Sequence, residues 1–241
     1  MDQQSNENLL SIITVSFNSQ ETIRETLDSI QSQLDTNFEY IIIDGGSSDS
    51  TLSIIEEYDC VDILVSEPDM GIYDGMNKGI AKSSGRFIGF LNSDDLFASK
   101  DVTLELINKI KTTKTDLIYG DIRYFENTVK EITRTWRPGE YKKGSFNRGW
   151  HPPHPAFYAS KDLFSKSGNF DLDLQIAADF ELMLRFLKIF KCKSVYLNRF
   201  IVSQRLGGLS TNLNGIAKGY HEIKYSFQKY NLKINLFYFI R

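Results

Sequence analysis

The chain has 241 residues, 41% hydrophobic and 24% charged, enough to bury the core of one elaborated α/β domain and too mixed for a disordered or fibrous chain. A net charge of −3 gives no reason to expect a nucleic-acid partner, and no stretch reaches the roughly 18 apolar residues needed to span a bilayer. Cys60 and Cys192 lack metal-ligand spacing and read as reduced core thiols, and residues 1–8 are polar and acidic rather than a signal peptide, so the protein is expected on the cytoplasmic side.

From Leu9 onward short β-branched runs alternate with amphipathic segments, which predicts a parallel sheet wrapped by helices. Four strand–helix units are expected before residue 111. The first strand is 11–16, followed by a helix in which Ile23, Leu27, Ile30 and Leu34 recur at spacings of four, three and four. The second strand, 40–43, ends in Asp44, and Leu52, Ile55 and Tyr58 mark its helix. The third is 61–65, and the fourth, 87–91, stops abruptly at Asn92-Ser93-Asp94-Asp95. Beyond about residue 115 the alternation lapses: 117–119 and 129–136 read as paired strands, and 138–155 is rich in Gly, Pro, His and aromatic residues. Ile216, Tyr220, Ile223, Phe227 and Tyr230 then recur at helical spacing. The expected organisation is one domain over 1–212, in halves 9–111 and 112–212, followed by an amphipathic helix and tail over 213–241.

In open α/β sheets ligands bind beyond the carboxyl ends of the strands, so the polar clusters there should converge on one site. Asp94 and Asp95 are adjacent carboxylates that repel unless a cation sits beside them, and such hard oxygen ligands suit Mg²⁺ or Mn²⁺ that also holds phosphate. The alternative is a solvated loop acid followed by a helix cap. Asp44-Gly45-Gly46-Ser47 is either turn chemistry or a second acid aimed at the same crevice; no Gly-Lys-Ser or Gly-x-Gly-x-x-Gly phosphate motif is present. Residues 67–79 pack three glycines, three acids and Asn77 into a loop and early helix, more polar convergence than a connector needs. In Ala178-Asp179-Phe180-Glu181 two acids ride on an apolar helical run, and residues two apart on a helix point in different directions. Arg205 stands in a glycine-bearing loop, as a diphosphate partner or a plain surface cation, with Ser210 nearby. Trp150 and His154 flank a proline-rich turn that either positions a sugar or is a rigid structural loop, and its two histidines lack the companions of a zinc site.

Together these segments resemble the family 2 glycosyltransferases, inverting nucleotide-sugar enzymes of GT-A fold. Residues 13–18, "ITVSFN", resemble the first strand and nucleotide loop; "IIIDGGSSDST" is similar to the "DDGSTDGT" signature; "GIYDGMNKGI" resembles the asparagine-glycine segment; "GFLNSDD" resembles the metal-binding strand; "ADFELMLR" resembles the catalytic helix. The forms "GIYDGMNKG", "LNSDD" and "HPPHPAFY" look closest to the bacterial branch that assembles capsule, exopolysaccharide and O-antigen chains.

The resemblance implies a GT-A, Rossmann-like, mostly parallel sheet flanked by helices, with a smaller antiparallel acceptor-side part and a C-terminal helix. It makes 9–111 the nucleotide-sugar half and 112–212 the acceptor and catalytic half. It places Thr14, Ser16, Asn18, Asp44 and Asn77 around the donor, Asp94 on the ribose, Asp95 on a Mn²⁺ or Mg²⁺ ion, and Arg205 near the diphosphate. Asp179 becomes the general base, with His154, Trp150 and Glu181 on the acceptor side. Gly45, Asn92 and Ala178 stand where the family commonly carries carboxylates. The implied partners are a UDP- or GDP-sugar donor and a glycan or lipid-linked acceptor. The basic tail beyond 213 either rests on the inner face of an anionic membrane or closes the core or an interface. A sugar nucleotidyltransferase and a non-catalytic nucleotide-sugar-binding or glycan-binding module remain as alternative readings.

Overall fold

The computed structural model describes residues 8–207 and 213–235; Ser210 and the tail 236–241 lie outside the described residues. Its first half contains β1 (Leu10–Ser16), α1 (Ile23–Gln31), β2 (Glu39–Asp44), α2 (Thr51–Ile55), β3 (Ile63–Ser66), α3 (Ile72–Lys82) and β4 (Phe87–Phe90). These four strands are parallel, in the order β3-β2-β1-β4. All six residues of β2 are buried, as a strand covered on both faces requires, which is why its Ile41-Ile42-Ile43 run does not alternate with polar residues. Ile41 and Ile43 enter a core shared with α3 and α6 residues, while Tyr40 and Ile42 enter a second core formed with α1 residues.

The second half reverses direction. β5 (Leu96–Phe97) and α4 (Val102–Thr112) lead to β6 (Leu117–Phe125) and β7 (Ile132–Trp136), then β8 (Phe157–Ser160), α5 (Lys161–Ser167), α6 (Ala178–Leu184), β9 (Ser194–Arg205) and α7 (Leu213–Lys229). β8 sits antiparallel between β4 and β6, so it joins the parallel half to an outer part in which β9 runs parallel to β6 and β7 pairs antiparallel with it. The expected pairing of 117–119 with 129–136 is corrected: 117–119 pair with β8 and β9, and β7 pairs with the later part of the same strand, from Ile122↔Trp136 to Phe125↔Ile132.

Three expectations shift. The periodic Leu34 is 68% exposed, because α1 ends at Gln31 and Gln33 turns inward instead, its amide donating to the Ser29 and Ser99 carbonyls. Tyr58 lies beyond the short α2, with its hydroxyl donating to Asp28. The face predicted for α7 is buried only from its middle onward: Phe227 is fully buried while Ile216 and Tyr220 are 41% and 44% exposed.

Glycines of the 71–79 segment serve packing. A Cβ on Gly75 would lie 2.6 Å from Val15 Cγ1, and one on Gly79 would lie 2.5 Å from Ile13 Cγ2, so their absence lets α3 seat directly on β1. Cys60 and Cys192 are unpaired, and among the described residues no helix is long and apolar enough to cross a membrane.

Candidate active site

The carboxyl ends of β1 and β4 open onto a cleft of about 560 Å³, closed on the far side by α3, the start of α6 and the end of β9. Strand-end clusters from both halves of the sheet meet there, as ligand binding beyond parallel strands requires. Asn18, Asp94, Arg205, His154 and Asp179 line it, together with Ser19, Glu21, Tyr73, Gln175 and Gln204.

The neighbouring acids Asp94 and Asp95 point to different surroundings. Asp95 is fully buried; its Oδ1 accepts the Arg205 backbone N–H at 2.9 Å and its Oδ2 accepts the Asn92 amide at 2.8 Å. Burial, and then the neighbouring Asp94 carboxyl, push the Asp95 carboxyl well above its ordinary value. Asp94 is the acid on the cleft wall. Burial raises its carboxyl too, opposed by its own backbone N–H and by the Arg205 guanidinium. Asp95 is expected on the metal and Asp94 on the ribose; the structure places Asp95 behind the cleft wall and Asp94 on it. Asp95 ties the β4 end to β9, and Asp94 is the oxygen donor that faces a ligand.

A similar sorting separates the α6 acids. Asp179 lies on the cleft, where its Oδ1 accepts the Phe180 N–H at 2.7 Å and the Tyr73 hydroxyl at 3.3 Å. Glu181 points into the core: it is fully buried, paired with Arg185 at 2.9 Å and Lys229 at 3.2 Å, and accepts the Tyr230 hydroxyl. Expected on the acceptor side, it is held by these three partners away from the residues that line the cleft.

Four residues expected on the donor side and one expected on the acceptor side make bonds within the scaffold. Thr14 is fully buried, its hydroxyl donating to the Leu91 carbonyl at 2.7 Å and accepting from Tyr40 at 2.9 Å. Ser16 donates to Asp44, and Asp44 also accepts the Gly46 and Ser47 N–H groups and the Ser47 and Ser66 hydroxyls. Burial alone would raise the Asp44 carboxyl; hydrogen bonds from Ser47, Ser66 and Ser16 outweigh it and hold the group below its ordinary value. Asn77 makes two bonds to the Phe170 backbone, stapling α3 to the loop before α6. Trp150 donates its indole N–H to the Pro138 carbonyl at 2.6 Å and packs among Tyr119, Tyr141 and Phe146.

Asn18 remains on the cleft with φ of 47°, a left-handed conformation that Asn tolerates, and its Oδ1 accepts the Ser48 N–H. This bond and the Ser47 hydroxyl on the Asn18 N–H fasten the β1 loop to the β2 loop. His154 is stacked 5.4 Å from Phe90 and edge-on to Phe170, with its Nε2 buried and unpartnered. Burial holds its imidazole below the ordinary value against the pull of the Asp179 charge, so a neutral ring faces the cleft. Arg205 pairs with Glu25 at 2.8 Å while its guanidinium lies over Phe125. Among the described residues no three His, Cys, Asp or Glu side chains gather as a cation cage.

Sequence reasoning passed over Glu21 and Gln175 on the cleft wall; neither belongs to a recognisable motif, and the chain brings them in from opposite halves. The Tyr73 hydroxyl sits 2.9 Å from the Ile176 carbonyl and within reach of Asp179.

Glycosyl transferase family 2 matches residues 11–163. An uncharacterised glycosyltransferase of Mycobacterium tuberculosis is 33% identical over 180 residues, covering 73% of this chain and 68% of its own. Staphylococcus aureus TarS, residues 1–349 in complex with UDP, superposes with a TM-score of 0.72 at 18% identity over 95% of this chain and 67% of its own. The mannosyltransferase PcManGT of Pyrobaculum calidifontis, in complex with GDP-Man and Mn²⁺, gives 0.65 at 17% identity over 92% and 64%. With a mixed sheet of the GT-A kind and a cleft where the family's motifs meet, the chain belongs to glycosyl transferase family 2 and is a glycosyltransferase.

Proposed function

We propose that the protein transfers a sugar, with inversion, from a UDP- or GDP-sugar to a hydroxyl of a glycan or lipid-linked acceptor of bacterial polysaccharide assembly. The observation that carries this reading is that Asp94, from the parallel half, and Asp179, from the outer half, open on the same cleft while their neighbours Asp95 and Glu181 are locked inside.

An inverting transfer needs the leaving diphosphate neutralised, the acceptor hydroxyl deprotonated and the two aligned in line. Asp179 takes the acceptor proton at its carboxylate, positioned by the Phe180 N–H and the Tyr73 hydroxyl. Arg205 brings a positive charge to the donor side, held over Phe125 so that its stem is ordered before substrate arrives. The neutral His154 lines the cleft without adding charge beside Asp179.

A single cleft carboxylate does not cage a cation, but it fits Mg²⁺ or Mn²⁺ shared with substrate phosphates, the usual way such ions are held. Asp94 would hold the ion, which supplies Lewis-acid stabilisation of the departing diphosphate. The GDP-Man and Mn²⁺ complex of PcManGT and the UDP complex of TarS support this choice of ligands. Exposed Lys224 and Ile216 on the outer side of α7 support a peripheral contact with an anionic membrane, checked by sedimentation with phosphatidylglycerol vesicles.

The test is Asp179→Asn assayed against a panel of UDP-, GDP- and dTDP-sugars. Nucleotide-sugar binding should persist while turnover falls about a hundredfold to ten-thousandfold. Turnover near the wild-type rate removes Asp179 as the base, and full activity in EDTA removes the metal.

A further inference from the structure

The helix that carries Asp179 begins without a local cap. Ala177 occupies the cap position and has no side-chain oxygen, and the backbone N–H groups of 175–177, which lead into the helix, would be left without partners unless another element supplied them. They are not left so. Glu222, in the middle of α7 and 7% exposed, reaches across: its Oε1 accepts the Gln175 N–H at 3.1 Å, and its Oε2 accepts the Ile176 and Ala177 N–H groups at 2.8 Å each. A carboxylate collecting three N–H groups at a helix start is among the strongest uncharged-to-charged anchors available.

On the other side of the same segment, the Tyr73 hydroxyl lies between the Ile176 carbonyl and Asp179 Oδ1. Residues 175–179 are therefore gripped from two elements, α7 and α3, and three of them, Gln175, Ile176 and Asp179, line the cleft. The grip matters because misplacing a reacting group by about 1 Å costs on the order of a hundredfold in rate. α7 also closes on α6 through Lys229 and Tyr230 at Glu181, so Glu222 is the end of this contact nearest the cleft.

We propose that Glu222 is a positioning residue for the transfer: it holds the start of α6 so that Asp179 meets the acceptor hydroxyl, which makes α7 part of the catalytic apparatus rather than a lid on the core. The proposal rests on Asp179 being the base.

The test uses the full chain and the nucleotide-sugar that wild-type protein turns over, found by nucleoside diphosphate release from a UDP-, GDP- and dTDP-sugar panel. Glu222→Ala should lower kcat about tenfold to a hundredfold with donor affinity unchanged within about twofold, and Glu222→Gln, which keeps an acceptor oxygen, should recover much of the loss. Amide exchange at 175–177 should quicken in Glu222→Ala and not in Glu222→Gln. Leu106→Ala, in the other core and far from the cleft, supplies a stability-matched control that keeps kcat when assayed well below its melting temperature. Unchanged kcat in Glu222→Ala, or a loss no larger than that of Leu106→Ala, overturns the proposal. In Asp179→Asn, Glu222→Ala should cost nothing further; a full additional loss there also overturns it. If Asp179→Asn alone keeps its rate, the base reading fails, whatever Glu222→Ala does.

Discussion

On the β1–β4 side of the cleft, polar groups satisfy one another between neighbouring strand ends, whereas on the α6 side they are satisfied from α7, more than forty positions along the chain. Asp44 gathers Ser16, Ser47 and Ser66 from three adjacent strands and their loops. Glu181 instead depends on Arg185, Lys229 and Tyr230, and the segment 175–177 that leads into α6 depends on Glu222. Both sides place one acid on the cleft and bury its neighbour with one local partner and others from far along the chain, Asn92 and the Arg205 backbone for Asp95, and Arg185, Lys229 and Tyr230 for Glu181; Asp44 alone is held within the parallel repeat. The donor side should therefore hold its shape as a local unit, while the acceptor side should fail with its long-range contacts.

The largest contrast to test is within the Asp94-Asp95 pair. Asp94→Asn should lower turnover about a hundredfold or more, since a metal clamp on a diphosphate supplies several kcal/mol. Asp95→Asn should keep most activity, because its carbonyl oxygen still accepts the Arg205 N–H; steady-state turnover at saturating Mn²⁺ separates the two, and the reverse ranking restores Asp95 as the ligand.

Next in size, Glu181→Ala should destabilise the protein by about 3–5 kcal/mol, because it leaves the buried Arg185 without its charge partner. Chemical denaturation followed by circular dichroism measures this, and an effect below about 1 kcal/mol would place the weight of the acceptor side elsewhere. On the donor side Thr14→Val leaves the Leu91 carbonyl and the Tyr40 hydroxyl short of partners, at about 1–3 kcal/mol, with UDP and GDP affinity unchanged. Weakened nucleotide binding at unchanged stability would return Thr14 to the donor site.

The smallest effect is a pH dependence that the two sides share in sign but not in range. His154 stays neutral when folded, so the unfolded chain binds the extra proton and stability falls as pH drops below about 6.5. Asp44, held below its ordinary value, contributes stability that is full above about pH 4 and is lost as pH falls through its folded value. Melting curves of His154→Gln and Asp44→Asn against wild type should lose the upper and lower step respectively.

Strand–helix alternation made the parallel half legible, because β2 and β4 are short apolar runs ending in acids, and burial on both faces leaves no other use for such runs. The outer half was less so: β9 is twelve residues long, only partly buried over most of its length and broken by register shifts against β6, so its pattern carries little period. Trp150 and Asn77 looked like ligand-facing residues because aromatic and amide groups in glycine-rich or proline-rich segments suit sugars. Their bonds to the Pro138 and Phe170 backbones form only once distant loops are in place.

The sequence by itself determined the family, the GT-A layering and the two short segments, 92–95 and 178–181, that bring acids to the cleft. Hydrophobic periodicity and strand-end chemistry act over a few residues, and those can be read along the chain. Only the tertiary structure decided which acid of each pair lines the cleft. Neighbouring carboxylates are chemically alike until Asn92 and the Arg205 backbone hold one, and Arg185, Lys229 and Tyr230 hold another; Asn92 and Arg185 lie within four residues of their acids, but Arg205, Lys229 and Tyr230 arrive from parts of the chain that no local pattern connects.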